Sequence, residues 1–587
     1  MNDAQLRDIA ANETRMDKDL NYSSEQLFTE WSKQLSPEHM KLSIEKAAHA
    51  QYSTDNGHKR SFGYRYEAFT SLGMLEREKE VVVSVQDGFG IQKELADELM
   101  INQGLVKHQY LSNDQVNVID MILKSTDRFN FVQGDAGTGK TTSMKVLHET
   151  LSPTDVQIIG LTYTGKAALE LKQKAGFDSQ TLHSFLKRPG ISKDGRTLLI
   201  VDEASMVNSF QMSDIVDLAK ANENVKVVFI GDWKQLQAIG AGKMFAELVD
   251  KYEDKIVELS ETHRFQTTVM KTVSDNIKAY KEGINKNGIL MAMAELEKDS
   301  SIVIDENSFK LIDCLINNFM DSPDDGLIVC TSNADKDHIN RLCSMALIES
   351  GEVSQETVSV KSYKEKDVPL VGQQFSSQYR PGQKVFIEQA HGLTPHQIGT
   401  VEKSSEFYSV HITIDGAISH TINLQKDKIR PVEEREIDIS EGSKIVFTRN
   451  DYRLGVRNGS TGKVVGINDG QIEIDTGYEQ VKINQDYGFI DLGYAVTAYK
   501  SQGMDAKNVL FYYSSENHSM LNSELFYVAC SRATHNLKVF TDDKEKLINA
   551  ASTDKNKYST AEKAFSEIDF EANTVSKDKT KDYCIEL

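Results

Sequence analysis

Residues 129–151 read FNFVQGDAGTGKTTSMKVLHETL. A short run rich in Phe and Val gives way to a loop of small residues, and the loop opens into a segment of helical texture. Gly134 to Thr141, GDAGTGKT, satisfies G-x-x-x-x-G-K-[ST], with the strand before it and the helix after it that this motif requires. In that setting backbone N–H groups and the start of the helix cradle phosphates, Lys140 reaches the β and γ oxygens, and the Thr141 hydroxyl ligates a magnesium ion. The expected nucleotide contacts are therefore Gly134, Asp135, Ala136, Gly137, Thr138, Gly139, Lys140, Thr141 and Thr142, with ATP and Mg²⁺ as cofactors.

Outward from this loop the chain alternates apolar runs with helical segments. VQIIGLT, TLLIVDE and VKVVFIGD are short and β-branched, the texture of buried parallel strands in an α/β sheet. TLLIVDEAS ends in Asp202-Glu203, and two acids at the end of an apolar strand are expensive unless they serve a site. Asp202 is expected to hold the metal, and Glu203 to orient and deprotonate an attacking water. VVFIGDWKQLQAI ends a strand in Gly231-Asp232 with Gln235 beyond, an amide placed to sense a γ-phosphate. No N-K-x-D guanine motif occurs, since Asn285-Lys286-Asn287-Gly288 is the only near approach. That argues against a GTPase.

A second set of strands, DGLIVCTSN, YAVTAYKS, NVLFYYSS and LKVFTDD, implies a second α/β layer without a phosphate loop of its own. Between the layers, RPGQKVFIEQ with QIGTVEK and EGSKIVFTRN with NGSTGKVVGI look like two copies of one β unit, Gly382 matching Gly442, and Asn458-Gly459 signals a tight hairpin. The expected fold is α/β: a mainly helical domain over 1–108, a first phosphate-loop domain over 109–268 with a short hairpin at 187–196 tipped by Asp194-Gly195, and a second domain over 269–365 and 491–550. A β-rich, barrel-like insertion fills 366–490, and a polar tail follows over 551–587.

At 587 residues the chain exceeds one hydrophobic core. Its 39% hydrophobic and 26% charged residues are ordinary for a globular protein, no apolar run reaches the roughly 20 residues of a membrane helix, and the polar N-terminus lacks the pattern of a secretory signal. A cytoplasmic location without membrane insertion is the expectation. Five cysteines without a C-x-x-C pair imply no zinc framework. The net charge of −21 speaks for solubility and requires any nucleic-acid contact to be a local track of basic and aromatic groups.

The order LSNDQ, GDAGTGKTT, LTYTGKAA, SQTLHSF, LIVDEAS, IGDWKQLQ, ETHRF, TAYKSQG and YVACSRA, over about residues 110–545, resembles the motif series of superfamily 1B helicases. STDRFNFVQGDAGTGKTT and IDLGYAVTAYKSQG are most similar to the helicase portion of conjugative relaxases of the TraI and TrwC type, with RecD-like helicases next. The resemblance implies two RecA-like domains with an SH3-like insertion and a monomeric motor moving 5′ to 3′ on single-stranded DNA. It also implies conjugation or relaxosome proteins as partners. Gln115 would then read adenine, Gln235 would couple the γ-phosphate to DNA, and Arg264 and Arg532 would be arginine fingers supplied by the same chain.

The hydroxyls and amine of Thr162, Tyr163, Thr164 and Lys166 suit phosphate oxygens, and His183 and Phe185 offer faces on which bases stack. In the other half Thr497, Tyr499, Lys500 and Gln502 form the matching grip, and a strand-splitting pin at 187–196 stands level with an ordinary loop. The N-terminal hundred residues hold only isolated histidines, so the metal-dependent nuclease of the relaxases is not expected. Two rivals remain: a RecD-type repair or recombination helicase, and a non-motor module that binds single-stranded DNA with a decayed nucleotide site.

Overall fold

The computed structural model describes residues 66–553, except 193–194, 263, 367, 369–371, 395–396, 407 and 415–417, together with the strands His39–Ile44, Ala50–Ser53 and Lys59–Phe62. It divides into two compact units, residues 1–306 with 501–587, and residues 307–500. The predicted tail lies outside the described residues from 554 onward.

The first unit is organised around a six-stranded parallel sheet. Its strands are β1 (Phe129–Gly134), β2 (Gln157–Thr162), β3 (Ser179–Thr181), β4 (Thr197–Val201), β5 (Val225–Gly231) and β6 (Ile256–Leu259), in the spatial order β6-β1-β5-β4-β2-β3. Successive side chains point to opposite faces of a strand, and both faces here are dry. Leu199, Val201, Val227 and Phe229 enter one core, whereas Leu198, Ile200, Val228 and Ile230 enter the other. A continuous apolar run is what such a strand requires, and the sequence supplies it.

Several helices pack around this sheet: α1 (Asn113–Lys124), α2 (Lys140–Leu151), α3 (Gly165–Ala175) and α4 (Leu182–Lys187). The same unit contains a parallel three-stranded set in which Ala533–Thr541 lies between Ile302–Ile304 and Ala506–Tyr513. Helices α5 (Thr268–Lys281) and α6 (Ser523–Cys530) belong with it.

The N-terminal region carries strands as well as helices where it is described: His39–Ile44 pairs antiparallel with Tyr66–Ser71, Ala50–Ser53 pairs with Lys59–Phe62, and helices span Leu72–Asp87 and Glu98–Val106. YEAFTS and KRSF carry the aromatic and β-compatible residues that favour strands. In IQKELADELMINQGL only the second half is helical, because the Asp97 carboxylate caps the helix by accepting from Met100 N. The hairpin at 187–196 forms no strand among its described residues; Asp194 lies outside them. Gln157 occupies this loop's backbone groups instead, donating to Gly190 O at 3.2 Å and accepting from Ser192 N at 2.9 Å.

In the second unit Gly326–Cys330 runs parallel to Ala495–Thr497, with helices Ser308–Met320 and Asn333–Ser350. Between them stand two antiparallel sheets, one of six strands within 357–440 and one of five within 444–492, so the β-rich region starts nine residues before the predicted boundary. The internal repeat has a hydrogen-bond signature. Gly382 N donates to Val401 O and Val401 N to Gln383 O, each at 2.8 Å; Gly442 N donates to Val464 O at 2.8 Å and Val464 N to Ser443 O at 2.9 Å.

Candidate active site

The phosphate loop leaves the carboxyl end of β1, Asp202 and Glu203 follow β4, and Asp232 follows β5. These three strands are adjacent, so residues about a hundred positions apart converge on one sheet edge. Gly137 and Gly139 have φ of 79° and 80°, and a Cβ on Gly139 would sit 2.0 Å from Gln115 Nε2. Only glycine lets the loop pass there. Lys140 Nζ donates to Gly134 O at 2.7 Å, and Thr141 and Thr142 stand in the first turn of α2.

Gln115 lies against this loop with both ends of its amide engaged. It accepts from Ser112 N at 3.1 Å, completing the capping box of α1, and donates to Thr138 O at 3.1 Å. It therefore braces the phosphate loop, a role the sequence does not reveal.

Asp202 is half-buried, and its Oδ1 accepts from Glu203 N at 2.9 Å. Burial, then the neighbouring Glu203 charge, raises its carboxyl to about 6, against the pull of Lys140. Glu203 sits at φ 53°, ψ 45°, a left-handed conformation that costs a non-glycine residue about 1 kcal/mol or more. Its Oε2 accepts from Gln502 Nε2 at 3.2 Å. Gln502, expected on DNA, is thus brought to the candidate base.

Asp135 is turned away from the phosphate side of its loop into a buried ionic cluster that sequence reasoning missed. Lys234 Nζ reaches Asp135 Oδ1 and Lys278 Nζ reaches Asp135 Oδ2, both at 2.8 Å, and Lys234 also meets Glu282 Oε1 at 2.7 Å. Burial alone would raise the Asp135 carboxyl, but the two ammonium groups outweigh it and hold it below its ordinary value. Gln235 donates to Asp232 Oδ2 at 2.9 Å, and Gln133 donates to Asp232 Oδ1 at 3.1 Å. The cluster thereby ties the phosphate loop, the GDWKQ turn and α5 together. Lys234 was visible inside that turn; Lys278 carried no signal.

Arg264 packs on the same loop: a Cβ at Gly137 would fall 2.2 Å from Arg264 Cβ, and Thr262 Oγ1 donates to Ala136 O at 3.1 Å. From there the guanidinium donates to Ser531 O at 2.7 Å and pairs with Asp505 at 3.0 Å. Arg532 is 2% exposed and donates only to neutral acceptors, Val528 O at 2.9 Å, Met504 O at 3.2 Å and Ser531 Oγ at 2.9 Å. It has no carboxylate pair among the described residues. Burial, then Arg264, lowers its guanidinium to about 10. A buried positive charge held this way is costly unless an anion joins it. Tyr527, fully buried near Asp232, Asp135 and both arginines, has a hydroxyl without a partner among the described residues.

The candidate DNA residues divide. Phe185 is 0% exposed and packs with Leu182 in the core beneath the sheet, so it cannot stack on a base. Three residues apart on α4, the two share its buried face. Thr162 is 1% exposed and its hydroxyl donates to Thr164 O at 2.8 Å, so it too is not available to phosphate. Thr164 is exposed and caps α3 by accepting from Ala167 N, Tyr163 and Lys166 are half-buried, and His183 is exposed. In the second unit Thr497 is buried and accepts from Lys500 N at 3.4 Å, Tyr499 is half-buried and Lys500 is exposed.

No helix among the described residues is long and apolar enough to cross a membrane. A family model described as an AAA domain matches residues 110–308, and one described as a UvrD-like helicase C-terminal domain matches residues 492–539. The probable conjugal transfer protein TraA of Sinorhizobium fredii is 26% identical over 80% of this chain and 36% of its own length. The multifunctional conjugation protein TraI of Escherichia coli is 23% identical over 82% of this chain and 30% of its own. The RecBCD enzyme subunit RecD of Buchnera aphidicola is 24% identical over 73% of this chain and 72% of its own. The chain spans about a third of the length of the conjugal relatives it matches. An AAA domain match thus precedes a UvrD-like helicase C-terminal domain match, and the chain is similar to conjugal transfer proteins and to RecD along most of its length.

Proposed function

We propose that the chain is an ATP-driven motor that moves 5′ to 3′ along single-stranded DNA and displaces the complementary strand, in the service of conjugative DNA transfer. The observation that carries this reading is Arg264, whose stem packs on Gly137 of the phosphate loop while its guanidinium meets Ser531, the neighbour of the buried Arg532. Phosphate loop and both candidate fingers thus belong to one polypeptide, which favours a monomeric motor. Lys140, Asp202, Glu203 and Arg532 are all present, which speaks against a decayed nucleotide site.

A hydroxyl and a carboxylate, Thr141 and Asp202, are the hard oxygen donors that suit Mg²⁺, and they would hold it; bound there, the ion would neutralise charge on the phosphates. Glu203 would orient and deprotonate the attacking water, and Arg264 and Arg532 would stabilise charge on the transferred phosphoryl group. Gln115 would read adenine from its place on the loop. Exposed Thr164, His183 and Lys500, with Tyr163, Lys166 and Tyr499, would contact DNA as the nucleotide cycle proceeds. The names of TraA and TraI support the conjugative setting, and relaxosome proteins in the cytoplasm are the partners it implies.

The test is ATP hydrolysis with and without single-stranded DNA, followed by unwinding of matched duplexes with a 5′ or a 3′ tail. Strong stimulation and unwinding from the 5′ tail are expected. Hydrolysis indifferent to DNA would remove the motor reading, and unwinding from the 3′ tail alone would remove the polarity.

A further inference from the structure

The second unit carries a compact basic loop, residues 448–459, TRNDYRLGVRNG, between strands Lys444–Phe447 and Thr461–Asn468. It contains three arginines and one acid, in a chain of net charge −21. Its backbone is closed twice. At the base Gly459 N donates to Phe447 O and Phe447 N to Ser460 O, each at 2.8 Å; further out Asp451 and Val456 exchange two bonds of 3.0 Å. Asp451 Oδ1 then caps the turn, accepting from Arg453 N at 3.0 Å and Leu454 N at 3.3 Å, and Asn450 Oδ1 accepts from Asn458 N at 2.9 Å. The acid and the asparagine are spent on shaping the loop.

The arginines have separate assignments. Arg449 is an anchor: its guanidinium lies 3.4 Å from the Phe386 ring centroid and pairs with Glu365. Arg457 lies 4.3 Å from the ring centroid of Tyr452 and donates to Val456 O at 3.0 Å. Tyr452 is nevertheless 67% exposed, and the Arg453 side chain is 90% exposed. An aromatic face held by one guanidinium stands beside a second, whose Nε lies 3.6 Å from Asp451 Oδ1 while most of its side chain faces solvent. Together they offer a surface for stacking a base and donors for a phosphate, already ordered before binding.

We propose that Tyr452, Arg453 and Arg457 form a contact for single-stranded DNA, Tyr452 stacking on a base and Arg453 and Arg457 meeting backbone phosphates. This rests on the motor reading above and adds to it a grip on the β-rich insertion, separate from the TAYKSQG segment. A protein partner with an acidic surface would use the arginines without needing the ring, and so predicts a different pattern of variants.

Binding of a fluorescently labelled oligothymidylate to the full chain, followed by anisotropy across a salt series, tests it. Tyr452→Ala is expected to weaken binding about 5- to 100-fold, the range for loss of one stacked base, while Tyr452→Phe stays near the parent. Arg453→Ala is expected to lower the slope of log affinity against log salt by about 0.7, one phosphate on a single strand. Hydrolysis without DNA, and the thermal midpoint, should not change in any of these. Parental affinity and slope in both Tyr452→Ala and Arg453→Ala overturn the proposal, as does a loss confined to Arg453→Ala. If the parent chain itself fails to bind the oligonucleotide, it is the motor reading that falls.

Discussion

Gln502 donates through Nε2 to Oε2 of Glu203 at 3.2 Å, across 299 positions of sequence, and its own Oε1 has no partner among the described residues. The TAYKSQG segment therefore ends on the carboxylate proposed to activate water. An amide in this position can hold the carboxylate's orientation without changing its charge.

Gln502→Ala should lower kcat about ten- to a hundredfold with little change in KM for ATP, because a free Glu203 samples unproductive orientations. Glu203→Gln should lower kcat further, by about 10² to 10⁴, while ATP and DNA still bind. Steady-state kinetics decide: a Gln502→Ala defect confined to KM would make the glutamine a nucleotide ligand rather than a positioning residue.

Arg532→Lys should be nearly as damaging as Arg532→Ala. A single ammonium cannot span the three acceptors Val528 O, Met504 O and Ser531 Oγ and still present a planar face to an anion. A loss of about 10³ or more in kcat, with a smaller change in ATP affinity, is expected. Because no carboxylate is left behind when the guanidinium goes, Arg532→Met should retain most of the parent's stability. A collapse of its unfolding midpoint would show that Arg532 is mainly structural.

The Asp135 cluster should behave as a unit. Lys278→Met leaves a buried carboxylate with one counter-ion and should destabilise the chain by about 3 kcal/mol, whereas Asp135→Asn combined with Lys278→Met should cost clearly less than the two single changes summed. Denaturant unfolding of the four proteins measures the coupling. Additivity within about 0.5 kcal/mol would mean the contact carries no interaction energy.

Lys226 gives a dependence on pH. It is 2% exposed, its ammonium hydrogen-bonds Ser125 O, and burial lowers it to about 8 from an ordinary 10.5. Below pH 8 the folded chain carries this buried charge at a cost. Between pH 8 and 10.5 the unfolded chain binds more protons than the folded one, so the group's contribution to stability rises with pH. Relative to Lys226→Met, the parent should gain at most about 3 kcal/mol over that interval. A difference that stays flat from pH 8 to 10.5 would mean the lysine is not desolvated.

The β1 strand and phosphate loop, the acids closing β4, the Gly231-Asp232 turn and the repeated β unit were legible in the sequence. Each rests on local chemistry: a strand buried on both faces must be continuously apolar, a loop wrapping phosphates needs glycines where a Cβ would collide, and a hairpin needs its turn residues. What a side chain faces is set by elements far away in the chain. Phe185 followed an exposed histidine, yet its place on the inner face of α4 puts it in the core. Gln502 sat among DNA-gripping residue types and is directed to Glu203 instead. Asp135 belonged to a phosphate-binding motif, but its carboxylate found two lysines, 99 and 143 positions away, because an unpaired buried charge has to be compensated by whatever the fold brings near. The sequence by itself determined which chemistry this chain carries; packing decided which residues perform it and which hold the others in place.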